Sequence, residues 1–310
     1  MSGRDAAVDV VGLEHRYGDK VALAGIDVRV DAGEIFGFLG PNGGGKTTLF
    51  RVLSTLVPPQ RGRVSILGHR LWEARHAVRR ALGVVFQSPS LDVKLTVREN
   101  LEHHGHLYGI AGSELNRRID AGLERLGVGN RAGDIVETLS GGLQRRVELA
   151  KGLLPKPRML LLDEPSVGLD PGSRLDLWRA LDELRREDGT TVALTTHLLD
   201  EAERCDRLAI LDGGRIVCTG TPRDLRERVG GDVIAIRSQS PETLAERIAE
   251  RFGDRPQLID GTLRLEHEAG QERLAEIYQA FAPDIETISL SRPSLEDVFV
   301  HETGHRFWSD

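Results

Sequence analysis

Three stretches of this 310-residue chain carry residues whose types and spacing could do chemistry. The first, Gly40-Pro41-Asn42-Gly43-Gly44-Gly45-Lys46-Thr47 with Thr48 behind it, fits the pattern G-x-x-x-x-G-K-[ST]. Its glycines let the backbone curl so that several N–H groups point inward at phosphate oxygens. A helix after it would add its positive N-terminal end. Lys46 would then reach the outer phosphates of a nucleoside triphosphate, and the Thr47 hydroxyl would ligate Mg2+. The second stretch, Met159-Leu160-Leu161-Leu162-Asp163-Glu164, is an apolar run ending in two carboxylates. An aspartate at a strand end beside such a loop can hold Mg2+ through water, and the next carboxylate, Glu164, is placed to polarise an attacking water. The third is Leu139-Ser140-Gly141-Gly142-Leu143-Gln144-Arg145-Arg146, at the start of a helical pattern. Ser140, Gly141 and Gly142 offer a hydroxyl, free N–H groups and a helix N-terminus, which together make a second anion site. One chain does not need two sites for a terminal phosphate. Two chains facing head to tail do, each completing the other's.

The elements that must position these residues can be read from periodicity. Val8 to Val30 alternates and is turn-rich, as antiparallel strands are. Ile35–Leu39 is a short buried strand before the Gly-rich loop, and Thr48–Leu56 has helical spacing behind it. Strand runs follow at Val64–Leu67, Gly83–Phe86, Met159–Leu162, Val192–Thr195 and Leu208–Leu211. The stretch from Val97 to about Leu126 is helical, as are Arg174–Arg186 and Leu198–Cys205. Strands alternating with helices imply an α/β fold with a parallel sheet covered on both faces. Beyond Gly230–Gly231 the order is strand, helix, strand, strand, helix, strand, helix, from Val233 to His301. That order matches a small α+β, ferredoxin-like domain.

The Leu139-Ser140-Gly141-Gly142 sequence resembles the signature motif of ATP-binding cassette (ABC) ATPases, and other residues fall into place with it. Tyr17 resembles the aromatic that stacks on adenine. Gln87 resembles the glutamine that touches Mg2+ and faces the membrane subunit. Ser166-Val167-Gly168-Leu169-Asp170 resembles the D-loop that communicates across the dimer, and His197 the switch histidine at the γ-phosphate. The resemblance covers about Val8 to Val229 in order and spacing. It implies an ABC nucleotide-binding domain over residues 1–230, with a RecA-like parallel core, an antiparallel β subdomain and a helical subdomain at about 88–138. Residues 231–310 would form an accessory domain. It implies ATP and Mg2+ as ligands. Tyr17, the loop residues Gly40 to Thr48, Ser140, Gly141, Gly142, Gln144 and Asp170 would hold nucleotide. Thr47, Gln87 and Asp163 would hold the metal, and Glu164, Gln87 and His197 would serve catalysis. Three positions depart from the usual pattern: Gly44, Leu143 and Ser166. None removes a ligand.

The closing Pro293-Ser294-Leu295-Glu296-Asp297-Val298-Phe299 is similar to the tail of exporter ATPases of the daunorubicin-resistance type. The implied partners are a second copy of the chain and a separate transmembrane permease, with the motor held at the cytoplasmic face of the membrane. An importer motor is the nearer alternative. A non-transport ATPase acting on ribosome or DNA fits less well, because there is one set of motifs and no heptad array. Composition agrees. The net charge is -7, with 29% charged and 39% hydrophobic residues, so no global basic field draws nucleic acid. No run approaches the roughly 20 apolar residues that span a bilayer. The first residues, MSGRDAAVDV, lack a signal-peptide core. Cys205 and Cys218 do not form a framework, which fits a reducing compartment. His103, His104 and His106 read as solvated or packing side chains on a helix rather than metal ligands. The arginine pairs such as Arg185-Arg186 read as solvated faces.

Overall fold

The computed structural model describes residues 5–307; Met1–Arg4, part of the segment read for a targeting signal, lie outside them. By its contacts the chain divides into two compact units, residues 1–201 with 205–216, and residues 202–204 with 217–310.

In the first unit, β1 (Ala6–Tyr17) and β2 (Lys20–Asp31) form a long hairpin. Then come β3 (Ile35–Leu39), α1 (Lys46–Leu53), β4 (Arg61–Ile66), β5 (His69–Arg70), α2 (Arg75–Ala81) and β6 (Leu82–Val85). The helical segment is α3 (Val97–Leu107), α4 (Gly112–Arg125) and α5 (Gly141–Leu153). The chain returns through β7 (Met159–Asp163), α6 (Pro171–Asp188), β8 (Thr191–Thr196), α7 (Leu199–Ala202), β9 (Arg207–Asp212) and β10 (Arg215–Gly220), with Ala202 and the last four residues of β10 falling to the second unit. One sheet has the order β2-β1-β4-β5 and is antiparallel. The other has the order β10-β9-β3-β8-β7-β6, and its pairs from β9 to β6 are parallel. Every residue of β3, β7 and β8 is buried. Alternation explains why these strands are apolar throughout. Leu160 and Leu162 of β7 join the cluster that includes Val97, Leu115, Val147 and Trp178 on one face. Met159 and Leu161 join Val8, Ile26, Phe36 and Leu49 on the other. Each such side chain contributes about 1.5–3 kcal/mol.

The second unit continues with α8 (Pro222–Arg226), β11 (Asp232–Arg237), α9 (Pro241–Phe252), β12 (Gln257–Ile259), β13 (Thr262–His267), α10 (Gly270–Phe281), β14 (Thr287–Ser291) and α11 (Leu295–Thr303). Its sheet order is β12-β13-β11-β14, antiparallel throughout. This is the ferredoxin-like arrangement, closed by Ile234, Ile236, Leu244, Ile248, Leu263, Ile277 and Phe281.

Several boundaries shift from the sequence expectation, and three of the shifts change an element's start, continuity or length. The helix after the Gly-rich loop begins at Lys46 rather than Thr48, because Gly45 already serves as its N-cap. The helical run Val97–Leu126 is broken between α3 and α4. There Gly109 takes φ 71° and the N–H groups of Gly109 and Ile110 bond back to His106 and Gly105, a helix stop that a periodicity count passes over. The helix expected over Leu198–Cys205 is a single turn, Leu199–Ala202.

Helix α5 lies close on β6. A Cβ on Gly83 would stand 2.5 Å from the Gly152 carbonyl oxygen and 2.9 Å from the Pro157 ring. Gly83→Ala is therefore expected to push α5 outward and lower stability by about 1–3 kcal/mol, read as a drop in the urea midpoint. His104 packs against Tyr108, the rings tilted at 54° with centroids 5.1 Å apart. Burial, and then the Lys151 ammonium, push its pKa down from 6.5 to about 4. Between those values the unfolded chain takes up a proton that the folded one refuses, so stability falls as pH drops through that window. The full shift would carry roughly 3 kcal/mol; part of the ring meets water, so the expected loss is about 1–2 kcal/mol. Urea midpoints compared between about pH 7 and about pH 4.5 should show a smaller drop in His104→Gln than in the parent chain.

Candidate functional site

The Gly-rich loop leaves the C-terminal end of β3 and turns into α1. Its outer side has no room for side chains: a Cβ on Gly40 would lie 2.3 Å from the Leu211 carbonyl oxygen, and one on Gly45 2.8 Å from that of Ala22. Gly45 has φ 105°, a backbone that only glycine takes without strain. Gly43 and Asn42 are exposed, as is Thr47, so these groups are open to a ligand, while Gly44 is buried and Pro41 and Thr48 are partly so. Lys46 is 3% exposed. Its Nζ donates to the carbonyls of Gly40 at 2.7 Å and Pro41 at 3.0 Å, and lies 3.7 Å from Glu164 Oε1. Burial lowers its pKa, against the opposing pull of Glu164 and then Asp163. A desolvated ammonium at a helix N-terminus, inside a glycine-rich loop, suits a chain of phosphates.

Asp163 and Glu164 stand where β7 ends. Asp163 is buried, and Thr195 Oγ1 donates to its Oδ1 at 2.6 Å. Burial raises its pKa most. The Thr195 hydrogen bond opposes this, the neighbouring Glu164 adds to it, and Lys46 and Arg145 pull it back. A carboxylate so placed gains from a divalent cation, which would return the stabilisation that water gave it. Asp163 thus fits Mg2+, as does the exposed hydroxyl-bearing Thr47. Glu164 has φ 45°, a left-handed backbone for a non-glycine residue, at a cost of order 1–3 kcal/mol. Its N–H is held by Thr195, at 3.2 Å from the carbonyl oxygen and 3.0 Å from Oγ1. That twist aims the carboxylate. Gln87 Nε2 donates to its Oε2 at 3.3 Å, and His197 Nδ1 lies 3.1 Å from its Oε1. Lys46, Gln87 and His197, far apart in sequence, thus meet on one carboxylate, an arrangement able to orient a base against a bound water.

The remaining residues form other groupings. Ser140 is the N-cap of α5, its Oγ accepting from Leu143 N–H at 3.4 Å. Gly141 has open space around it, whereas a Cβ on Gly142 would lie 2.4 Å from Ser173 Oγ. Asp170 caps α6, accepting from the Ser173 N–H at 3.0 Å and its hydroxyl at 2.6 Å. Signature glycine and D-loop aspartate therefore converge on Ser173. Gln144 uses its amide on the carbonyls of Val136 and Leu139, at 3.1 and 3.2 Å, fastening the approach to α5. Tyr17 ends β1, 45% exposed, its ring edge-on to His15 with centroids 4.8 Å apart. It sits on the hairpin whose second strand touches Gly45 at Ala22 and Leu23.

Sequence reasoning missed three positioning residues. Arg145, one turn into α5, donates to the carbonyls of Phe86 (2.6 Å), Asp163 (3.2 Å) and Pro165 (2.8 Å), and pairs with Glu148 at 2.7 Å. It grips the main chain beside both Gln87 and Glu164. Thr195 serves Asp163 and Glu164 together. Glu201, 1% exposed, accepts from the hydroxyls of Ser166 and Thr196, so the serine at 166 supplies the hydroxyl that the usual threonine would. The available signal was an Arg–Glu pair at i, i+3 on the buried face of α5.

A family model described as ABC transporter matches residues 23–167. A daunorubicin resistance ATP-binding protein of Streptomyces coeruleorubidus is 38% identical over 97% of this chain and 96% of its own length. A Nod factor export ATP-binding protein I of Burkholderia thailandensis is 39% identical over 96% of this chain and 97% of its own. Among solved structures, cbiO1 of Clostridium perfringens, part of an ABC transporter complex, aligns with TM-score 0.67 and 28% identity, over 81% of this chain and 97% of its own. A dimeric ATP-binding cassette bound to ADP and Pi aligns with TM-score 0.63 and 27% identity, over 69% and 98%.

Removing the Arg145 guanidinium would leave the Glu148 carboxylate buried without its cation. Arg145→Met is expected to cost about 3–5 kcal/mol by urea unfolding, and Glu148→Gln added to it should restore part of that loss. ATP turnover should stay low in the double variant, because Gln87 and Glu164 remain untethered.

Proposed function

The chain belongs to the ABC transporter family, and from that premise we propose that it is the ATP-hydrolysing motor subunit of an exporter, driving a drug-like, antibiotic or lipid substrate through a separate membrane permease. The observation that carries the catalytic part is the meeting of Lys46, Gln87 and His197 on the Glu164 carboxylate. Likeness over nearly the whole chain to proteins named for daunorubicin resistance and Nod factor export supports export over import, and over action on ribosome or DNA.

In this reading the loop amides from Gly40 to Thr48 and the Lys46 ammonium take the phosphates of ATP, and Tyr17 stacks on adenine. Mg2+, when bound, would be held by Thr47, Asp163 and Gln87 and would offset charge on the outer phosphates. Glu164 accepts a proton from the attacking water, with His197 and Gln87 fixing the direction of its oxygens. A second copy supplies Ser140, Gly141 and Gly142 to the γ-phosphate from the far side, with Asp170 at the junction. Cleavage removes the group that both chains hold, and the pair reopens. Gln87 and the helical subdomain at about 88–138 pass that motion to the permease, which keeps the motor at the cytoplasmic face of the membrane. Among the described residues no helix is long and apolar enough to cross a membrane, and the pore is assigned to the partner chain. Residues 231–310 are assigned as an accessory domain that steadies the pair.

Glu164→Gln tests the catalytic assignment. It should keep ATP binding and hold an ATP-bound dimer on gel filtration, while turnover falls by at least about a hundredfold. Turnover at the parent rate would take the base role away from Glu164.

A further inference from the structure

Strands β7 and β8 enter their sheet at Met159 and Thr191, the ends opposite to Asp163 and Thr195. With about 3.3 Å per strand residue, these ends lie more than about 10 Å from the carboxylates. A cavity of about 560 Å³ opens there, within the size range of small-molecule sites. Its floor is apolar, made by Ala150, Leu153, Leu154, Pro157 and Leu184. Its rim carries five cations and one carboxylate: Arg117, Arg118 and Arg125 from α4, Lys156 and Arg158 from the turn between α5 and β7, and Asp188 at the end of α6. Such a concentration of cations stands out in a chain of net charge -7.

The α4 arginines are already engaged. Arg117 and Arg118 bond to Glu114, and Arg125 to Asp188 and Glu187. Lys156 and Arg158 are exposed and have no carboxylate partner among the described residues. Lys156 is unusual in its backbone as well. It takes φ 55° and its N–H bonds to the Leu153 carbonyl at 2.8 Å, ending α5 in a left-handed turn that glycine would make without strain. The chain thus holds a lysine, against backbone preference, at the mouth of an apolar cavity beside an arginine with a free fork.

We infer that this cavity binds an organic phosphate monoester with an apolar body. Lys156 and Arg158 take the phosphate, whose two negative charges match the two free cations. The alanine, leucine and proline floor takes the apolar body.

The test is calorimetric titration of the full chain with monomeric dihexanoylphosphatidic acid, in saturating ADP so that the Gly40–Thr48 loop is filled. Inorganic phosphate and dihexanoylphosphatidylcholine serve as the other two arms. Phosphatidic acid should bind saturably, with each of the other two at least about tenfold weaker. The double variant Lys156→Gly, Arg158→Gln should lose at least about tenfold in affinity with its thermal midpoint unchanged or raised, because glycine suits the left-handed turn. Arg158→Lys keeps the charge but loses the planar fork, and should lose less affinity than the double variant. Equal affinity in the parent chain and the double variant would overturn the proposal, as would no saturable binding to the parent chain. Phosphate binding as tightly as the amphiphile would reduce the cavity to a bare anion site, and phosphatidylcholine binding equally well would reduce it to an apolar one. Either result contradicts the assignment.

Discussion

A guanidinium buried to 8% exposure has to satisfy its N–H donors without water. Arg145 does so on three main-chain oxygens and one carboxylate, and the choice of oxygens sets the geometry of the site. Phe86 precedes Gln87, Asp163 precedes Glu164, and Pro165 follows it. One side chain therefore fastens the ends of β6 and β7 to the helix that Ser140 caps. Glu148, the partner of that guanidinium, also accepts from the Ser90 N–H at 2.6 Å, so the turn after Gln87 belongs to the same network. The residues at the start of α5 and the Glu164 carboxylate at the end of β7 are tied together by this network. That coupling is what a motor needs if closure on a partner's nucleotide is to be felt at its own.

The candidate site was legible where its grouping depends on local spacing. Lys46 and Thr47 must follow the glycines directly for the loop to close on phosphate, and Asp163 and Glu164 must end an apolar strand to reach it, so short patterns carry them. The buried parallel strands were legible from their unbroken apolar runs, and the C-terminal unit from two amphipathic helices set between alternating strands. Arg145, Thr195 and Glu201 were hidden because the partners that tie them to the site, Phe86 and Asp163 for Arg145, Asp163 for Thr195 and Ser166 for Glu201, are remote in sequence. Nothing in the Arg145-Arg146 pair says which arginine turns inward. In the structure Arg145 is buried, while Arg146 bonds to Asp176 at the surface of α6. The break at Gly109 was hidden for a related reason: apolar periodicity continues through it on both sides.

Of the five non-glycine residues with positive φ among the described residues, two differ instructively in character. Glu164 at φ 45° and Lys156 at φ 55° both hold charged side chains on left-handed backbones. At Glu164 the cost is met by Thr195, which takes the N–H twice, and the return is a carboxylate facing Gln87, His197 and Lys46. At Lys156 the turn merely ends α5, a task glycine performs with less strain, and the side chain faces a basic cavity instead. The C-terminal unit ends in α11, capped reciprocally by Ser294 and Asp297, with Asp297 paired to Arg264 of β13. The Pro293–Phe299 segment thus closes its own small domain by a capping box and an ion pair.

The central claim is that ATP is hydrolysed in a site built from the loop of one chain and the signature of another. It is tested most directly by mixing two inactive variants. Lys46→Ala disables the loop. Gly141→Asp places a carboxylate in open space at the start of α5, where the fold tolerates it and a phosphate does not. Each alone should be inactive. In a mixed pair, the intact loop of one chain meets the intact signature of the other, so one of two sites is whole. The account predicts that mixing restores turnover to at most about a quarter of the parent rate, rising with total protein concentration. A mixture that stays as inactive as its components, while the two variants demonstrably co-assemble, would contradict it.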